Sequence, residues 1–442
     1  MVLRAQMKIL HTSDWHLGRA FYGRKRNDEH EAFLGWLVSV VNEHNIDAVL
    51  VAGDIFDNGS PSNKAQALYY SFIREVAASS CRHVVIIGGN HDSPSFLDAP
   101  KELLRIFNVH VVSCVPDDPM DEVLLLEDDD GRPELVVCAV PYLRDWDVRL
   151  SGAGESASDK EALQAKGTAE HYAVVEAAAE SLREKLGKNG TKIPVVVMGH
   201  IFAAGGVPGD TEKAAYVGTL PQVPHGIFSQ RVMPDYVALG HLHTPQVVGG
   251  DETVRYSGSP LSISFAEAGQ KKFVHIVEFG ENGTNVTPLE APAFRRVVSL
   301  RGGWREIREQ TAALRPSSEQ DKAGFSEIWA EVVYEGNDIN GDLRSLVEAE
   351  VETFNLECSA KPSGPTLDVL RVRDKSAGKT VVSRLAGGEI LGELDPRDIF
   401  RRLMDANDVP EDHREGLMTT YEEVLLSLEG LADAAPGREA DL

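Results

Sequence analysis

The chain is short of positive charge, has few cysteines and contains no long apolar run. Lysine and arginine number 44 against 69 aspartates and glutamates, a formal net charge of −25. That imbalance excludes binding of a polyanion by broad electrostatic attraction, because phosphate neutralisation supplies most of such affinity. A nucleic acid would have to be met by a local basic surface, by bound cations or with a partner. Part of the excess acid lies in residues 117–130 and in the C-terminal segment. Cys81, Cys114, Cys138 and Cys358 form no CxxC pair. Their scatter excludes a cysteine-framed zinc site and reads as structural thiols of a reducing cytoplasm. The apolar runs are strand-length, which excludes helical membrane spans. Residues 1–10 have neither the apolar core nor the cleavage site of a signal peptide, and MKILHTSDWH offers Met7 as a second candidate start.

What is present is an alternation. Apolar runs at 8–14, 46–54, 83–92, 135–141, 193–200 and 235–243 each end in a polar residue and a loop or helix. Several are unbroken by polar residues, the pattern of strands buried on both faces. Helical stretches fall at 29–45, 64–78 and 160–186, with a polar loop at 151–159. Strand–helix alternation predicts an α/β layered sandwich of mixed β-sheets flanked by helices. Residues 253–258 and 272–279 are expected to be a closing pair of strands. Near residue 288 the pattern changes to that of a small α+β domain, with strands at 295–300, 328–334 and 367–373. Two amphipathic helices are expected at 395–404 and 410–428, then a polar tail.

Five of the apolar runs close on residue types that bind metals: Asp14-x-His16, Gly53-Asp54, Gly89-Asn90-His91-Asp92, Gly199-His200 and Gly240-His241-x-His243. One Asp or His at a strand end is ordinarily a cap or a turn residue. Five in order, each ending an apolar strand, point to one crevice at the carboxyl ends of the strands. The ligand candidates are Asp14, His16, Asp54, Asn90, His200, His241 and His243. Imidazoles and carboxylates together favour Mn, Fe, Zn or Co over Ca. A shared carboxylate, with Asp54 the natural bridge, would hold two cations for in-line displacement at phosphorus. The x in Asp-x-His and His-x-His would place both side chains on one face of an extended segment. His91 would point away from Asn90 and either serve as general acid for the leaving oxygen or stabilise charge on phosphorus, with Asp92 orienting its imidazole.

These motifs resemble the calcineurin-like metallophosphoesterases. Longer phrases are similar to the bacterial SbcD family: HTSDWHLGR (11–19), VAGDIFDNGSPS (51–62), VVIIGGNHDSP (84–94), YVALGHLH (236–243) and RYSGSPLSISF (255–265). The resemblance is dense over residues 7–279 and thinner beyond. It implies a nuclease with two Mn ions (Mg, Fe or Zn as alternatives). Asp14, His16, Asp54 and His243 would hold one ion; Asp54, Asn90, His200 and His241 would hold the other; His91 would be catalytic. It further implies 3′–5′ exonuclease action on double strands and endonuclease action on single strands and hairpins, in DNA repair, recombination and replication. The implied partner is an SbcC-type ATPase, in a heterotetramer built on a homodimer, cytoplasmic and nucleoid-associated on DNA. Metallophosphatase or cyclic-nucleotide phosphodiesterase action on the same fold is the alternative.

On this reading residues 1–6 are an extension, 7–287 the nuclease domain and 288–386 an α+β capping, DNA-binding domain. Residues 387–430 are helices that dock the ATPase, and 431–442 a disordered tail. Arg19, Arg24, Lys25 and Arg26 are candidates for DNA-backbone contact. Ile399, Phe400, Leu403, Tyr421 and Leu425 are candidates for partner docking. Leu68, Tyr69, Phe72 and Ile73 form an apolar stripe at helical spacing, a pattern that ordinarily faces the core; in the resembling family this region and the helix at 96–106 form a dimer interface. Ala377-Gly378-Lys379-Thr380 looks like the end of a P-loop, but Arg373 stands where the leading glycine belongs, so nucleotide binding is not expected there.

Overall fold

The most apolar segments of the chain make the centre of two six-stranded sheets. The structure, a computed structural model, describes residues 7–149, 155–186, 193–208, 223–229, 231–280, 283–315, 327–337, 339, 342–359, 364–375, 400–401, 404, 414 and 416–421. The chain divides into two units. The first comprises Met1–Ser299, Pro316–Ala330 and Ser359–Leu370, and the second Leu300–Arg315, Glu331–Cys358 and Arg371–Leu442.

In spatial order the first sheet is β14 (Gly283–Glu290), β13 (Phe273–Gly280), β1 (Lys8–Thr12), β4 (Ala48–Ala52), β5 (His83–Ile87) and β6 (Val109–Val112). The second is β11 (Gln246–Val248), β12 (Asp251–Tyr256), β10 (Tyr236–Gly240), β9 (Val195–His200), β8 (Pro133–Ala139) and β7 (Val123–Glu127). The ladders β1–β4–β5–β6 and β8–β9–β10–β12 are parallel; β13, β14, β7 and β11 add antiparallel strands at the edges.

The unbroken apolar runs are explained by what each face meets. Ile9, Leu50, Ala52, Val85 and Ile87 of the first sheet pack against Val137, Ala139, Val196, Met198 and Ala238 of the second. The alternate residues Leu10, Val49, Val51, Val84 and Ile86 pack against helices α1 (Asn27–Glu43) and α2 (Asn63–Ala77). On the far side, Val136, Cys138, Val195 and Val197 pack against Tyr172, Val175 and Ala179 of the long helix Ala157–Leu186. Full burial of one such Val or Leu contributes about 1.5–3 kcal/mol. Helix α2 starts where the Ser62 side chain accepts from the Ala65 amide at 3.3 Å.

The order is therefore helices, sheet, sheet, helix, as expected for the fold class. Three expectations need correction. The stretches read as a closing strand pair belong to different sheets: β12 pairs with β10, and β13 pairs with β1. Alternation shows that a segment is a strand but not its partner. Strand β14 stays paired with β13 through Glu290, so the first sheet runs past residue 287. Leu68, Tyr69, Phe72 and Ile73 are all buried in the core between α2 and the first sheet, not on a docking surface.

A three-stranded sheet has the order β15 (Arg296–Gly302), β16 (Glu327–Tyr334), β17 (Thr366–Asp374). Phe400 and Tyr421, both in the second unit, stack on each other at 4.1 Å between ring centroids and stay half-buried. Ile399, Leu403, Leu425, the 377–380 motif and the tail lie outside the described residues. No disulfide links the four cysteines. No helix among the described residues is long and apolar enough to cross a membrane.

A short hairpin, β2 (Ala20–Phe21) and β3 (Arg24–Lys25), carries the basic cluster. Arg26 is buried, and its guanidinium donates to Glu29 Oε2 at 3.0 Å and to the Ser262 carbonyl at 2.5 Å. It is a structural ion pair and not a phosphate contact, because its charge is already neutralised away from solvent. Arg24 is exposed and pairs with Asp368 at 2.5 Å; Lys25 is exposed. Replacing Arg26 with Ala should destabilise the fold by about 3 kcal/mol, read by chemical denaturation. Lys25→Ala should leave the denaturation midpoint unmoved; equal effects of the two would contradict this division of roles.

Candidate metal centre

The carboxyl ends of the central parallel strands of both sheets bring the polar residues together. Asp14 and His16 follow β1, Asp54 follows β4, Asn90 and His91 follow β5, His200 ends β9, and His241 and His243 follow β10. The structure places all seven expected ligands in one cluster. Donor atoms of Asp14, His16 and His243 lie within 4.8 Å of one another, and so do those of Asp14, Asp54 and His200. His200 Nε2 lies 3.0 Å from Asn90 Oδ1, which is 3.1 Å from His241 Nδ1.

Tight local backbone makes this convergence possible. Asp14, His16 and Asp54 all adopt positive φ near 50°, and His241 has φ 102°. Asp14 and His16 thus share the pocket because each sits in a left-handed turn, and not through the period-two alternation expected of an extended segment. The turns are tied by backbone hydrogen bonds from Asp14 N to the Gly53 carbonyl and from His16 N to the Asp54 carbonyl, both 3.0 Å. Gly53 has φ +86°, and a Cβ there would meet His200 Nδ1 at 2.3 Å. At Gly89 a Cβ would meet Asp54 Oδ1 at 2.2 Å and the Asp54 amide at 2.3 Å.

The chemistry of the donor set fits cations. His200 Nδ1 donates to the Ala52 carbonyl at 2.9 Å, so in the neutral ring Nε2 carries the lone pair. Nε2 faces Asn90 Oδ1, and without a cation it donates there the proton that the neighbouring carboxylates favour; across the cluster the His16 Nε2 and His243 Nε2 lone pairs face each other at 3.3 Å. Such lone pairs repel unless a proton or a cation lies between them. Burial pushes His16 and His241 down to about 3, and carries His243 well below the usual imidazole value. These three are therefore neutral near pH 7, with lone pairs to donate. Burial opposes the charge on His200, but the Asp54 and Asp14 carboxylates raise it to about 9. Burial likewise opposes ionisation of Asp54, yet His200, His16 and His91 hold its carboxyl well below the usual range. Burial pushes Asp14 up to about 7.

His91 stands apart from the ligands. It is exposed, its ring is edge-on to His16 at 5.0 Å, and its amide donates to Asp54 Oδ1 at 2.9 Å. Its orientation differs from expectation. Asp92 does not touch the imidazole: its carboxylate accepts the amides of Phe56 (2.9 Å), Gly89 (2.9 Å) and Ile55 (3.2 Å), clamping the two ligand loops together. A buried carboxylate ringed by backbone N–H groups is satisfied there and has no reason to reach a solvent-facing ring. The imidazole is held by the main chain instead: His91 Nδ1 donates to the Asp57 carbonyl at 2.8 Å. The Asp57 carboxylate in turn accepts from Arg19 at 2.6 Å and lies 3.8 Å from His16 Nδ1. Arg19 is thus tied to the edge of the centre. Sequence reasoning gave Asp57 no role, since a main-chain carbonyl leaves no mark on residue identity. Ser13 and Ser257 were also missed. Ser13 Oγ donates to Asp14 Oδ2 at 2.5 Å and lies 2.7 Å from Ser257 Oγ; the phrase around Ser257 was the available signal.

The Gly89 contact has a measurable consequence. Gly89→Ala should displace Asp54 and its loop, lowering metal-dependent phosphodiester hydrolysis at least about 100-fold. Thermal unfolding of the purified variant checks that the sheets survive. Near-normal hydrolysis would show that the loop has room the structure does not give it.

Comparison with known proteins agrees with this geometry. Residues 7–245 match the family described as calcineurin-like phosphoesterase, and residues 293–408 match the type 5 capsule protein repressor C-terminal domain. The chain is 32% identical over 431 residues to the SbcD component of the nuclease SbcCD of Escherichia coli K12, covering 97% of this chain and 100% of that one. It is 35% identical to the SbcD component from Rhodobacter capsulatus, over 67% of this chain and 71% of that one. The Bacillus subtilis counterpart is also 35% identical, over 63% and 68%. On its strand-end donor residues and on this full-length likeness, the chain belongs to the SbcD family of calcineurin-like phosphoesterases.

Proposed function

We propose that this protein is the nuclease subunit of a DNA end-processing complex, hydrolysing DNA phosphodiesters with two manganese ions. The observation that carries the reading is the convergence of six donor side chains around Asp54, at the edge of which stands one exposed histidine. Asp14, His16 and His243 would hold one cation and Asn90, His200 and His241 the other, with Asp54 shared. Bound there, a cation pair supplies Lewis acidity and charge neutralisation at phosphorus. The protein supplies the rest. Asp92 fixes the Asp54 and Asn90 loops to each other. The Asp57 carbonyl keeps a proton on His91 Nδ1 in both charge states, so the transferable proton is the one on Nε2. Protonated His91 gives that proton to the leaving oxygen and ends as the neutral Nδ1–H tautomer.

The acidic chain leaves few basic groups to grip a duplex. Lys25 and Arg24 on the β2–β3 hairpin are the exposed candidates, and an SbcC-type ATPase would supply most of the affinity, as the relatives' name implies. Homodimerisation would use the short helix Lys101–Arg105 and the residues after it, where Leu103, Ile106 and Phe107 are 61%, 74% and 53% exposed.

His91→Leu should keep manganese binding in a calorimetric titration and lower cleavage of a 3′-labelled duplex by about 10²–10⁴-fold. Undiminished cleavage would remove His91 from the mechanism. In the same assay the wild type should hydrolyse a phosphate bis-ester; turnover of monoesters alone would favour a phosphatase. Ile106→Asp should convert a dimer to a monomer by light scattering, with bis-ester hydrolysis retained; a monomeric wild type would refute the interface.

A further inference from the structure

Behind His243 lies a buried ion pair for which the reaction above has no use. Glu267 and Lys272 are 4% and 6% exposed. Lys272 Nζ donates to Glu267 Oε2 at 2.6 Å, to Ser259 Oγ at 3.1 Å and to the His243 carbonyl at 3.4 Å. All three of its N–H groups are engaged. Glu267 Oε2 also accepts the Ile263 amide at 3.1 Å. The other oxygen, Oε1, faces His243 Nδ1 at 3.9 Å, beyond hydrogen-bond length but close enough to act electrostatically on the ring. His243 is therefore held at both ends. Lys272 and the Ser259 amide (3.1 Å) fix its carbonyl, and the Glu267 carboxylate faces its ring.

Stability alone is a poor account of this pair. Two buried charges are commonly no more stabilising than apolar side chains of the same volume, because desolvation offsets their attraction. Their effect on the imidazole is specific. A carboxylate beside Nδ1 favours the proton on that nitrogen and leaves the lone pair on Nε2. Nε2 is the nitrogen that points into the donor cluster, 3.3 Å from His16 Nε2.

We propose that Glu267, anchored by Lys272, is a positioning residue: it holds His243 as the Nδ1–H tautomer with Nε2 turned to the cation it would share with Asp14 and His16. It thereby sets the affinity of one of the two cation sites and not of the other. Lys272 keeps the carboxylate turned toward the ring and the His243 carbonyl in place. This inference rests on the two-cation reading and names the group that makes its sites unequal.

The test is a calorimetric titration of metal-stripped, full-length protein with manganese chloride, with manganese paramagnetic resonance reading how many ions are coupled. Wild type should take up two ions. Glu267→Gln should bind one ion with unchanged affinity and the other roughly 10–100-fold more weakly, replacing the coupled-pair signal with that of single ions at intermediate manganese. Two ions held at wild-type affinity by folded Glu267→Gln would overturn the proposal. A wild type that takes up no manganese would instead overturn the two-cation reading itself, and this inference with it. Should Glu267→Gln lose stability, the double variant Glu267→Gln, Lys272→Met removes both buried charges. The proposal requires its second site to stay weak even where thermal stability returns; recovery of affinity together with stability would make the pair purely structural.

Discussion

Asp54 is the point on which the site depends. Its backbone carbonyl receives the His16 amide, its Oδ1 receives the His91 amide, and its Oδ2 lies 3.7 Å from His16 Nε2 and 3.4 Å from His200 Nε2. It does this from a left-handed turn at φ 52°, against a glycine with no room for a side chain. A buried carboxylate in a low-dielectric surround is costly unless positive charge is near. The surrounding imidazoles answer that requirement, and a cation pair would answer it more fully. Strain, burial and charge are concentrated in one residue because ligand loops from both sheets have to meet there.

The two facing sheets are what make that meeting possible. Each contributes the ends of its central parallel strands, and the core between them is closed by alternate residues of the same strands. The fold therefore puts rigid, fully buried elements immediately behind the ligand loops. Support comes from groups one layer out. Asp92 ties loops, the Asp57 carbonyl orients His91, and Lys272 with Glu267 grips His243. Metal-binding side chains are usually oriented in this way by outer partners, and their loss weakens the centre without removing a ligand.

Much of this was legible in the residues alone. Strands β1, β4, β5, β8, β9 and β10 were marked by apolar runs too continuous for a half-exposed sheet, and each candidate ligand stood at the end of one. Residue type and order determined that Asp14, His16, Asp54, Asn90, His200, His241 and His243 belong together, since side-chain chemistry is written in the sequence. Other features were decided only by the tertiary structure. That β12 and β13 part to different sheets, that Arg26 is buried against Glu29, and that Leu68, Tyr69, Phe72 and Ile73 face the core depends on partners remote along the chain. So does the choice of a main-chain carbonyl over Asp92 to orient His91. Periodicity reports that a face is apolar or a group is charged; what lies opposite is set by packing and by the need to satisfy every buried polar atom, and neither is local.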